Sequence, residues 1–366
     1  MGRGILVLLV FGLGVCLVGG TLLYIPALKH GGGEGRGARG EGRGMNGEPP
    51  RRDDPPIDAA ALAIDPALVR YRQAAEIATG FAQVRALAVG ADDRIWVGGD
   101  RAVRCFAPDG ARHAEIILGG EPNCLATVGG RLYVGLEEHL EVFDLRGTRL
   151  AAWKTLGEQA ILTAVATAEH DVLAADAGNR IVWRYDDGGR IQGRIGAASQ
   201  ARRIPGFLIT SRDFDLALGA DGLVYVVNPR ALRVEGYTLA GDLERHWGQG
   251  SPALADFFGC CNPAHLAVLP DGRFVTAEKG IPRIKVYTAE GRFECVVAGP
   301  RQMAATAAAV ATDRRGRIYA LDPVARSVRI FERTNEINHK GTKVLRPSAA
   351  GVCASFRIET GDHHGQ

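Results

Sequence analysis

Residues 163–196, TAVATAEHDVLAADAGNRIVWRYDDGGRIQGRIG, decide the fold. Four short runs rich in Val, Ile, Leu, Ala and aromatic residues are separated by polar turns containing Asp, Asn or Gly, so each run has the length of a strand and not of a helix. One such unit makes a four-stranded antiparallel sheet with two faces and exposed edges, which cannot bury itself. Working outward, the same order of parts recurs at a period of roughly 40–50 residues, the range of propeller blades and solenoid units. The other copies are residues 84–119, 124–157, 213–248, 264–299 and 308–332. Their second strands read RIWVG, RLYVG, DVLAAD, LVYVVN, RFVTAE and RIYALD, mixtures of aromatic, β-branched and small side chains that suit a buried pleated surface. Six sheets packed radially bury each against its neighbours and leave only short edges. The sequence therefore predicts an all-β, six-bladed β-propeller.

The last unit is incomplete, because its third strand ends near Phe331 and no glycine turn or fourth strand follows. A matching orphan strand stands at the other end: YRQAAEIATG, residues 71–80, resembles the fourth strands HAEIILG and LAAWKTLG. The expected ring is closed by this early segment pairing with the final blade, which a linear solenoid would not require.

ADAGNRIVWRYDDGGRIQGRIG in the third unit resembles the NHL repeat, with weaker echoes in the other five, over about residues 69–334. FFGCCNPAHLAVLPDGRFVTAEKGIPRIKVYTAEGRFECVVAG, residues 257–299, is similar to a subgroup of bacterial membrane-anchored NHL-type proteins marked by GCCNP and TAEKG, a subgroup of unassigned activity. The resemblance implies a propeller fold that hosts enzymes, ligand binders and scaffolds alike. It also implies a test for one enzyme class, since NHL-type lyases that cut modified peptide ends hold zinc on the axis with histidines from equivalent positions. Here His113 and His246 fall in fourth strands, His139 in a connection and His170 in a turn; only His265 begins a blade.

The chain has 366 residues with 46% hydrophobic and 23% charged content and a net charge of +3, an ordinary globular balance that disfavours a nucleic-acid partner. No charged residue occurs from Gly4 to Leu28. As a helix, Ile5 to Leu28 would reach roughly 36 Å, enough to span a bilayer. A cleaved signal peptide is the rival reading, but its apolar core runs only about 7–15 residues and no clean small-x-small site follows so short a core here. Cys16 follows Val15, whereas lipoprotein signals resemble one another in a small residue there. Residues 1–28 are thus expected to be a membrane anchor. Residues 29–67 form a Gly-, Arg- and Pro-rich linker, 68–335 the propeller and 336–366 a C-terminal tail. Lys29, Arg36, Arg39, Arg43, Arg51 and Arg52 after the span outnumber Arg3 before it, a bias against export. Long domains translocate largely regardless of such charge, and the expected location is the extracytoplasmic, periplasmic side.

Seven cysteines, Cys16, Cys105, Cys124, Cys260, Cys261, Cys295 and Cys353, form no dense disulfide framework. Cys260 and Cys261 stand out because they are adjacent, on the connection leading into the fifth unit, with Asn262 following and His265 close by. Two thiols and an imidazole suit a redox role or a soft metal; the pair could equally lock a tight loop or stay as inert thiols. Glu278 and Lys279 in TAEKG are secondary candidates, since this turn departs from the usual Asp-Gly-Asn type. Asp176, Glu278 and Asp322 share one repeat phase, with Asn228 in the fourth unit. Each carboxylate is followed by an arginine, Arg180, Arg283 or Arg326, so ion pairs or turn hydrogen bonds within each blade explain them more simply than an axial cation. No GxSxG, P-loop, HExxH or CxxC motif occurs, and His363 and His364 belong to the tail. No catalytic residue or cofactor is indicated. The leading expectation is a non-catalytic scaffold that binds a protein partner at the membrane or a small ligand. A redox-linked or metal-binding accessory protein using Cys260 and Cys261 is the alternative, and a metal-dependent hydrolase or lyase of the NHL type is a second.

Overall fold

A computed structural model describes residues 15–18, 21–24, 63–168 and 170–334. Six four-stranded antiparallel sheets make the propeller: residues 84–117, 124–152, 162–195, 216–247 and 265–298 form blades 1 to 5, and residues 309–333 with 71–78 form blade 6. In blades 1 to 5 the strands run in sequence order from the axis outward, and in blade 6 the first three do. The predicted closure is present. Tyr71–Ala78 is the outermost strand of blade 6 and pairs antiparallel with Ser327–Arg333, from Ser327 opposite Ala78 to Arg333 opposite Tyr71.

Hydrophobic burial lies between blades. One cluster joins Ile77, Phe81, Val97 and Phe106 to Tyr319, Leu321 and Ile330, sealing blade 1 against blade 6. Others join blade 1 to 2, 2 to 3 and 5 to 6, and the largest runs across blades 3, 4 and 5. The second strands are buried along almost their whole length in every blade because each is covered on both faces by its neighbours. Glycine is required at the hairpin between the third and fourth strands of blade 5, where Gly291 has φ 81° and a Cβ would run into the Trp247 ring of blade 4.

Of the expected anchor, residues 15–18 and 21–24 are described. Val15–Val18 and Thr21–Tyr24 are antiparallel strands, with Val18 opposite Thr21 across Gly19 and Gly20. Among the described residues no helix is long and apolar enough to cross a membrane. The rest of the expected anchor, the linker up to residue 62 and the tail from 335 lie outside the described residues.

Candidate functional site

The six inner strands surround a cavity of about 790 Å³ along the propeller axis. Its wall is built largely from small residues, among them Ala86, Ala126, Ala166, Ala217, Ala267 and Ala311. Six strands converge here, and only short side chains leave space between them. With blades ordered from the inside outward, one end of the ring collects the starts of the inner strands, the connectors from the preceding blade, and the turns between second and third strands. Polar residues gather at that end.

Asp215 directly precedes the inner strand of blade 4. Its carboxylate accepts hydrogen bonds from the Leu216 amide at 2.7 Å and, across the blade boundary, from the Leu266 amide at 3.1 Å. The same oxygen meets His265 Nδ1 at 3.1 Å. Burial opposes the imidazolium, but the Asp215 hydrogen bond and the charges of Asp215 and Asp213 outweigh it and raise the His265 pKa above its ordinary value. Lys279 Nζ reaches Asp213 Oδ2 at 3.1 Å, and Ser211 Oγ donates to the same oxygen at 2.7 Å. Arg212 forks onto Glu137 of blade 2 at 2.9 and 2.5 Å, and Asn123 donates to Glu137 at 3.0 Å. The Arg212 hydrogen bond holds the Glu137 carboxyl below its usual range. Arg85 Nε and Thr306 Oγ1, both on the cavity wall residues, are buried without a hydrogen-bond partner in the protein. The Arg85 guanidinium is held by the Glu121 carboxylate at 2.5 Å.

The structure separates the residues singled out by sequence. His265 and Lys279 line the cavity. Asn262 is a buried bracket: its amide donates to the Phe258 carbonyl and, at 2.9 Å, to the Lys279 carbonyl, and its oxygen accepts from the Lys279 amide at 2.6 Å. It ties the GCCNP loop to the TAEKG turn, which accounts for both motifs together. Cys260 and Cys261 bring their Sγ atoms to 3.3 Å, and Cys261 lies 3.5 Å from Thr210 Oγ1. His265 turns instead to Asp215, and among the described residues no three His, Cys, Asp or Glu side chains gather as a metal-binding set. Glu278 is not a cavity residue. It is buried against Arg283, whose Nε donates at 2.8 Å, and against Lys285.

The in-phase acids serve their own blades. Asp176 accepts from the Ile161 and Asn179 amides, both at 3.0 Å, and from Trp183 Nε1 at 2.9 Å. Asp322 accepts from the Val324 and Ala325 amides at 2.9 Å. Arg180 and Arg326 hold left-handed turn positions with φ of 57° and 55°. Sequence reasoning missed Asp213, Asp215, Arg212 and Glu137. A signal existed for one of them: Asp215 holds the repeat phase of His265, where blades 1, 3 and 6 carry Ala86, Ala164 and Ala309.

Fold and cavity together define a six-bladed β-propeller with an open axial chamber. No protein-family model and no curated protein sequence matches the chain. Among solved structures it is similar to a streptogramin B lyase, with TM-score 0.50 and 12% identity over 69% of this chain and 80% of that one. It is also similar to the virginiamycin B lyase of Staphylococcus aureus, with TM-score 0.49 and 12% identity over 71% and 99% of the two chains. The WD40 propeller domain of Doa1 gives TM-score 0.48 and 14% identity over 68% and 78%. At these identities the likeness is one of fold alone.

Proposed function

We propose that this chain is an NHL-type binding module, held at a membrane by its N-terminal segment, that takes a small ligand in the axial chamber and meets a protein partner with the surrounding loop face. The observation that carries the ligand reading is the chamber of about 790 Å³, within the size range of small-molecule sites, lined at its polar end by the His265–Asp215 and Lys279–Asp213 pairs. The ligand then has an apolar body that fits the alanine-rich wall and a polar group that answers the charged pairs at the polar end of the chamber. Plugging the chamber tests this. Ala166→Phe and Ala311→Phe are expected to abolish co-purification of a bound small molecule, read by native mass spectrometry of the full-length protein, while the thermal midpoint falls by only a few degrees. An unchanged ligand complement in both variants would sink the reading.

The anchor reading rests on the uncharged run from Gly4 to Leu28. A lone hairpin such as Val15–Val18 with Thr21–Tyr24 leaves unpaired backbone edges that a bilayer cannot satisfy, so within lipid the segment is expected to become helical. The full-length protein should sediment with membranes and resist high salt and alkaline carbonate, and a chain lacking residues 1–28 should not. Release of the intact chain by salt alone refutes insertion.

A further inference from the structure

Neighbouring side chains on an extended backbone point to opposite sides, so two consecutive cysteines do not ordinarily meet. Here Cys260 and Cys261 meet, with Sγ atoms 3.3 Å apart. Three features hold the loop in this form. Gly259 takes φ 89°, a left-handed bend that a side chain would resist. The Asn262 side chain donates to the Phe258 carbonyl, closing the chain around the pair from the residue before Gly259 to the residue after Cys261. The Asn262 amide donates to the Pro229 carbonyl of blade 4 at 3.0 Å, and its side chain grips both Lys279 backbone groups. The pair is therefore presented by a fixed scaffold.

The two thiols are not equivalent. Cys260 is partly exposed, whereas Cys261 is buried and faces Thr210 Oγ1 at 3.5 Å. A partly exposed cysteine beside a buried one is the arrangement of an attacking and a resolving cysteine. None of the remaining described cysteines has a second thiol beside it. Cys105, Cys124 and Cys295 are buried in blades 1, 2 and 5 and separated from one another, and burial pushes the Cys105 and Cys295 thiols up to about 11, where they are poor nucleophiles.

We propose that Cys260 and Cys261 are a redox-active dithiol that exchanges with external disulfides, Cys260 attacking and Cys261 resolving. The Cys260 thiolate attacks one sulfur of the external disulfide, that S–S bond breaks, and the first leaving thiolate takes up a proton. The Cys261 thiolate then attacks the Cys260 sulfur of the mixed disulfide, expelling the second external thiol. Two electrons and two protons pass from the protein to the external disulfide, which ends as two thiols, and a Cys260–Cys261 bridge remains. This assignment does not depend on the axial chamber or its ligand.

The full-length protein equilibrated in glutathione buffers of rising disulfide fraction, then quenched by alkylation and mapped by mass spectrometry, tests the proposal. The peptide carrying both residues should pass from doubly alkylated to a form two hydrogens lighter than the reduced peptide, and return on adding reduced glutathione. Cys105, Cys124 and Cys295 should stay alkylatable after unfolding throughout the series. Cys261→Ser should trap a glutathione adduct on Cys260 at about ten-fold or more above wild type, because resolution is removed, and Cys260→Ser should leave Cys261 as a thiol. A wild-type pair that stays doubly alkylated, or accumulates the adduct without forming the bridge, overturns the proposal. Equal adduct in both single variants also overturns the assigned roles. The wild-type series decides the exchange itself even if a serine variant fails to fold.

Discussion

A chain that begins at Phe81, and so lacks the Tyr71–Ala78 strand, is expected to lose its single sharp unfolding transition and to be cut by trypsin after Arg329 and Arg333. That strand carries the closure of the ring. It forms the hydrogen-bonded ladder with Ser327–Arg333, and just beyond it both the amide and the hydroxyl of Thr79 donate to the Arg326 carbonyl, at 3.1 and 2.7 Å. It also delivers Ile77 to the cluster between blades 6 and 1, and Tyr71 to the cluster between blades 5 and 6. Without it, Ser327–Arg333 becomes an open edge strand, and the Glu76 contact to Ser327 Oγ at 2.6 Å is lost as well. The damage falls on two interfaces at once, so the whole ring loosens instead of one blade. Ile77→Ala is the graded version, expected to cost about 2–5 kcal/mol in urea unfolding, as buried isoleucine truncations do. A peptide spanning residues 69–80 should restore protease protection to the truncated chain. If the truncated chain instead unfolds as sharply as the full one, closure by this strand is not what stabilises the ring.

The closing strand was legible because a missing part and a matching orphan part are both properties of the one-dimensional pattern. Blade number and phase were legible for the same reason: apolar runs and turn residues repeat wherever the same local geometry repeats. The site was less so. His265 and Lys279 could be singled out as departures from the repeat, but their partners Asp215 and Asp213 lie on the connector into blade 4, some fifty or more residues earlier in the chain. That connector, residues 196–215, and the one at 248–264 are the longest between blades and do not repeat, so no phase assigns Asp213 to the axis, and only Asp215, at the connector's last position, shares the phase of His265. Asn262 and Glu278 were noticed through their motifs, yet each proved to hold the scaffold. Sequence shows that a residue is unusual; only packing shows whether it faces the cavity or the neighbouring sheet.

Glu278→Met is expected to be the most damaging single substitution in blade 5, because it removes the sole carboxylate between two buried cations. Arg283 and Lys285 are 2% and 0% exposed. Lys285 Nζ also donates to the Leu254 and Asp256 carbonyls at 2.9 and 2.8 Å, and lies 5.1 and 5.2 Å from the Phe257 and Tyr287 ring centres. Those dipoles and ring faces soften the charge without neutralising it. Breaking a buried pair from one side costs about 3–5 kcal/mol, since the surviving charge keeps its desolvation penalty. For a domain of this size that is a thermal midpoint roughly 10 °C lower. Replacing the whole group, as in Glu278→Met with Arg283→Leu and Lys285→Met, should recover most of the loss, because apolar side chains of similar volume need no partner. The pH dependence gives an independent check. Burial, more than the opposing pull of Glu278, lowers the Lys285 pKa from 10.5 to about 8. Between those values the unfolded chain holds a proton at this site that the fold has released, so the Lys285 contribution to stability rises with pH across that window. Lys285→Met removes this slope, and the stability difference, wild type minus variant, should increase from pH 8 to pH 10. A difference that stays flat over that range, or that falls, would mean that Lys285 keeps its proton inside the fold and that Glu278 holds it more firmly than burial opposes it.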